Sequence, residues 1–203
     1  MIQAIIDKHF FNLLIFTLVF GILLYDAIGF DYTDEICALF LFILFSIYLF
    51  STKGWDFNKA FLTTIGIFLF YFCYSLYIGS NTKTAILSDM LIQIKPYLAF
   101  FCVYSMMPRL NESQKRILKS LCLVLWFPLL CIGLAGAVNI KLLTLLMGHP
   151  TYFAAAVICV SFCYLYCSDF RTIDKVVFIA LLSIGLISGR SKFYGFFALA
   201  TII

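Results

Sequence analysis

The sequence predicts an all-α fold, a polytopic bundle of transmembrane helices, and three observations carry that prediction. Hydrophobic side chains make up 64% of the 203 residues and charged ones only 12%, with a mean hydropathy of +1.07, a composition too apolar to cover a soluble domain. The apolar residues gather in runs near the roughly 20 that an α-helix needs to cross about 30 Å of hydrocarbon. Short polar stretches separate the runs, and within lipid only a helix or a closed barrel satisfies every backbone amide.

Taken in order, the runs cover residues 10–28, 36–50, 61–78, 84–107, 117–138, 151–167 and 172–188, giving about seven full spans, and a shorter eighth helix opens at Ser191. The first run lacks the short apolar core and small-residue cleavage site of a signal peptide, so it reads as a retained helix. The acidic turn "DAIGFDYTDE" at 26–35 separates it from the second. The third follows Lys59, and the fourth carries Lys95 and Pro96 near its middle. A basic cluster, Arg109 to Lys119, leads into the fifth, "GHP" at 148–150 opens the sixth, and "SGRSK" at 188–192 ends the seventh. The eighth piece holds thirteen residues, roughly 20 Å of helix. The expectation is therefore one transmembrane domain over 1–203 that forms the front part of a longer chain. Eight cysteines lie almost entirely inside the apolar runs, which gives a disulfide framework no support.

Counting Lys and Arg in alternate connections sets an expected orientation. Nine of the fourteen fall on one side: Lys8, Lys53, Lys59, Arg109, Lys115, Arg116, Lys119, Arg171 and Lys175. Lys83, Lys141, Arg190 and Lys192 fall on the other, with the acidic turn. The N-terminus is expected in the cytosol, with Arg190 on the far side. The nine need no role beyond fixing topology.

The outer cations are the candidates for binding. If the seventh helix ends at Ser188 and a new one starts at Ser191, Ser188 or Gly189 relaxes the turn and the new helix presents free N–H groups beside Arg190 and Lys192. Such an N-terminus suits a phosphate, which Arg grips bidentately. Interfacial snorkelling of two long cations is the competing reading. His149 lies at the same surface, before Pro150 at the first helical position, either as a simple cap or as an orienting donor. Ala154, Ala155, Ala156, Gly185 and Gly189 read as close-packing positions. In the fourth run Asp89 and Gln93 share a face, while Lys95 sits at a depth where a charge needs a partner, either Asp89 or a substrate. Cys159, Cys163 and Cys167 recur every fourth residue without His or carboxylate, so packing rather than a metal is expected. No metal and no cofactor are expected, and neither a phosphate-binding glycine loop nor a nucleic-acid-binding stripe is present.

"GHPTYFAAA" at the start of one helix and "SGRSKFYG" after a later one, over 148–195, resemble the O-antigen ligase and O-antigen polymerase superfamily. The sequence departs from its common pattern by placing Gly189 between Ser188 and Arg190. The resemblance implies a multi-pass glycosyltransferase of the bacterial inner membrane. Its donor would be an undecaprenyl-pyrophosphate-linked glycan, and its acceptor a glycan or a lipid. It implies that Arg190 holds the donor diphosphate, and that a catalytic His belongs to a larger outer loop downstream. If the chain is an enzyme, its chemistry is metal-independent transfer. Arg190, Lys192, His149, Lys95 and Asp89 are the candidate substrate contacts. Rival readings are a transporter or flippase lined by Asp89, Lys95 and Arg190, and a non-catalytic scaffold or remnant.

Overall fold

The computed structural model describes residues 2–23, 33–52, 59–79 and 81–202. Helix α1, Ile2–Leu18, runs into a π turn at Val19–Leu23. Then come α2 Thr33–Thr52, α3 Lys59–Ile78, α4 Lys83–Met106, α5 Glu112–Val138, α6 Ile140–Met147 and α7 Pro150–Tyr166. Helix α8, Thr172–Ser183, tightens into a 3₁₀ segment at Ile184–Ser188, and α9 spans Ser191–Ala200. No strand occurs among the described residues. The acidic turn over 26–32, Lys53 and the side chain of Lys192 lie outside them.

Four helical stretches are long and apolar enough to cross a membrane: Ile2–Gly21, Phe61–Ile78, Lys83–Met106 and Glu112–Val138. Helices α6 and α7 together pass the same test but meet at a bend of 72°. The protein is all-helical with several membrane-length helices, and helix length alone gives four or five crossings rather than seven. The difference has local causes. The connection expected between the fifth and sixth runs folds instead as α6, opened by Asn139, whose side chain accepts from the Lys141 N–H. The seventh run stops being α-helical after Ser183, and the apolar part of α2, Glu35–Ser51, is shorter than the four.

The chain forms two compact units, one of Met1–Phe10 with Asp34–Arg109, the other of Phe11–Thr33 with Leu110–Ile203. In the first, α3 and α4 make an antiparallel hairpin. Gly79 supplies the left-handed turn at φ 66° and Thr82 caps α4. Ring contacts Phe61–Phe101 and Phe68–Tyr97, at 5.1 and 5.3 Å, hold the pair. Helix α4 ends at Met107 in a left-handed conformation, and Asp7 of α1 accepts the Arg109 N–H beyond it at 2.8 Å.

In the second unit α5, α7 and α8 build the core from Leu118, Leu125, Leu129, Phe153, Val157, Val160 and Leu182, all buried. An Asn111–Gln114 capping box starts α5 five residues before the expected boundary. Where α8 tightens into the 3₁₀ segment its last carbonyls change partners, and the Trp126 indole N–H of α5 donates to the Leu181 carbonyl at 3.1 Å. Gly185 lies on the 3₁₀ segment with the Phe193 ring of α9 in the space a Cβ would fill, so α9 folds back onto α8.

Candidate functional site

The site is a corner of the second unit where two helices begin. Helix α7 starts at Pro150, whose missing N–H costs nothing in the first turn, and His149 is its N-cap. The left-handed Gly148, φ 64°, lets the chain swing from α6 into that cap. Helix α9 starts at Ser191 with Arg190 at its N-cap position and Gly189, φ 65°, making the turn out of the 3₁₀ segment. The buried Ser188 hydroxyl accepts from the Arg190 N–H at 3.5 Å. Because α7 and α8 run antiparallel, the start of one meets the end of the other.

Side chains complete the corner. Arg190 Nη2 lies 3.0 Å from His149 Nε2, and the Thr151 N–H points at His149 Nδ1 from 3.2 Å. Both side chains are exposed. Arg190 has no carboxylate in salt-bridge range among the described residues.

This geometry contains a conflict of hydrogen-bond roles. Arginine only donates, a backbone N–H only donates, and a neutral imidazole has one bare nitrogen and one N–H. Two donors therefore approach a ring that can accept from one. With Nδ1 capping α7, Nε2–H faces the guanidinium donor to donor; with Nε2 accepting, α7 loses its side-chain cap. An oxyanion between Nε2–H and the guanidinium accepts from both and removes the conflict. Two helix N-termini favour negative charge at the same place.

The other expected contacts fall elsewhere. Lys95 is not Asp89's partner: its ammonium lies 2.6 Å from Glu35 Oε1 of α2. The charge is compensated within the first unit by a residue sixty positions away. Asp89 and Gln93 do share a face of α4 and line a groove against α3. Of the close-packing positions, Ala154, Ala156 and Gly185 are buried, whereas Ala155 and Gly189 are exposed. Gly189 serves the turn, since open space lies where its Cβ would be. Among the described residues no three His, Cys, Asp or Glu side chains converge as metal ligands.

One cluster escaped the sequence. Asp174, 4% exposed, accepts from Lys119 at 2.7 Å, from the Tyr164 hydroxyl at 3.3 Å and, through its second oxygen, from the Arg171 N–H at 3.3 Å. The Lys119 ammonium also sits 5.1 Å above the Tyr164 ring. It ties α5, seven residues past its start, and the first turn of α8 to the last turn of α7, so Lys119 is more than a topology charge. Its only sequence signal is opposite charge near the starts of two runs, fifty-five positions apart.

The chain matches no protein-family model, no curated protein and no solved structure with which it was compared.

Proposed function

We propose that the protein takes part in surface-polysaccharide assembly, transferring or polymerising glycan from an undecaprenyl-pyrophosphate-linked donor at the periplasmic face of a bacterial inner membrane. The observation that carries this reading is the His149–Arg190 contact: two donors converging at two helix N-termini, with no carboxylate in salt-bridge range among the described residues. Those are the requirements of a phosphate site, and the likeness of "GHPTYFAAA" and "SGRSKFYG" to O-antigen ligases and polymerases names the phosphate as a lipid diphosphate.

In this reaction an acceptor hydroxyl attacks the anomeric carbon of the donor sugar and the lipid diphosphate leaves. Charge grows on the leaving oxygen, and donors already aimed at that point lower the barrier without reorganising. Arg190 is the clamp, His149 Nε2–H the orienting donor, and Lys192 an auxiliary cation.

The accompanying topology has seven crossings with the N-terminus in the cytosol, so that nine basic residues lie inside and Arg190 outside. Helix α8 fits a crossing once its 3₁₀ segment is counted. Twelve residues at 1.5 Å and five at 2.0 Å reach roughly 28 Å, close to the hydrocarbon thickness.

The test is a transfer assay on the full-length, membrane-inserted protein, with the downstream loop expected to carry the catalytic His, and purified lipid-linked donor. Arg190→Ala is expected to lower turnover by about 10²- to 10³-fold with insertion unchanged, and Arg190→Lys to restore only part of it because the bidentate grip is lost. Wild-type turnover by Arg190→Ala would end the proposal.

A further inference from the structure

In the first unit the α3–α4 hairpin encloses a groove of about 270 Å³, below the roughly 300–1,000 Å³ of sites for drug-sized ligands. Its walls include Phe68, Tyr71 and Phe72 from α3, and Asp89 and Gln93 from α4, with Asn81 of the connecting turn. Tyr97 packs against the Phe68 ring at 5.3 Å, so that end of the groove is already formed.

Charge decides what fits. Asp89 is the one acidic or basic side chain among these residues, and its carboxyl group has no ion pair or hydrogen bond among the described residues, whereas nearby Lys95 is taken by Glu35. Asp89 lies six residues into a helix of membrane length, about 9 Å along its axis. An uncompensated charge on such a helix calls for a partner. An anion is repelled by the carboxylate, and a neutral polyol satisfies the amides but leaves the charge unmatched. A cation matches it, and aromatic walls favour an organic cation over a strongly hydrated metal ion. Gln93 offers an amide oxygen as a further acceptor for N–H groups. Asn81 keeps a second lone pair beside its bond to the Thr82 N–H.

We propose that the α3–α4 groove binds an alkylammonium group, with Asp89 as counter-ion, the amide oxygens of Asn81 and Gln93 as N–H acceptors, and Phe68, Tyr71 and Phe72 as its apolar walls. The group comes either from a lipid headgroup or from a free amine. This goes beyond glycan transfer, concerns the other unit, and does not rest on that function.

The experiment uses the full chain purified in detergent, with phosphatidylethanolamine, phosphatidylglycerol and free ethanolamine as probes. Lipid retention is read by native mass spectrometry and ethanolamine binding by calorimetry. Wild type is expected to retain phosphatidylethanolamine over phosphatidylglycerol. Asp89→Asn, which keeps the shape and removes the charge, is expected to weaken ammonium binding about 10- to 100-fold, the usual worth of a charged hydrogen bond. Asp89→Glu is expected to restore it, separating charge from folding. Binding of free ethanolamine with no preference between the lipids assigns the site to a soluble amine, whereas lipid preference without it assigns the site to the headgroup. Equal retention of both lipids with no ethanolamine binding, or undiminished binding by Asp89→Asn, overturns the proposal.

Discussion

The two ends of the second unit place similar groups in opposite circumstances. At one end Lys119, Tyr164 and Asp174 form a closed cluster, in which the buried carboxylate takes three donors and the ammonium lies on a ring face. At the other, the Arg190 side chain meets, among the described residues, an imidazole that is already asked to cap a helix. The first arrangement leaves nothing for a ligand to do, and its worth is to lock three helices together. The second is exposed, positively charged and short of an acceptor among the described residues, which is the balance an anion would complete. Polar clusters in a membrane bundle are thus told apart less by residue type than by whether donors and acceptors balance.

The comparison breaks most readily at Asp174. Asp174→Ala strands the Lys119 ammonium and the Tyr164 hydroxyl, and is expected to cost about 2–4 kcal/mol, below the full figure for a buried pair because Lys119 reaches solvent; unfolding in mixed detergent micelles measures it. Replacing both charges, Lys119→Met with Asp174→Leu, is expected to recover most of the loss, since an apolar pair of similar volume has no charge to desolvate. If the single and double variants were equally unstable, the cluster would hold by packing instead.

Gly185→Ala comes next. The added methyl overlaps the Phe193 ring and is expected to cost about 1–3 kcal/mol by overpacking. It also displaces α9, and limited proteolysis after Gly189 should rise with it. His149→Ala removes the α7 cap and is expected to cost about 1 kcal/mol in the same unfolding measurement. Arg190→Ala should be the smallest, within about 0.5 kcal/mol, as for an exposed side chain whose contact with His149 competes with the α7 cap. A loss there as large as that of Asp174→Ala would mean that both ends are structural, and the contrast would fail.

Local chemistry was legible in advance. Pro150 announced the start of α7, the Ser188–Gly189 pair announced the turn before α9, and helical spacing placed Asp89 and Gln93 together. Residues close in the chain determine these features, through backbone geometry that needs no partner. The extra helix α6 was not legible, because its apolar residues sit between Asn139 and Gly148 in a stretch too short to stand out as a run. Nor was the stop of α8 at Ser183, where the Trp126 indole of another helix donates to the Leu181 carbonyl just before the 3₁₀ segment.

By itself the sequence determined the all-helical class of this protein and its apolar helices of membrane length, since composition and run length dictate how a backbone must satisfy itself in lipid. It also determined which side chains carry charge at each helix end. Only the tertiary structure decided who meets whom: Glu35 rather than Asp89 beside Lys95, Asp174 beneath Lys119, and His149 against Arg190. Those pairings join residues 41 to 60 positions apart, and the register of packed helices that sets them is a property of whole interfaces, not of any stretch of chain.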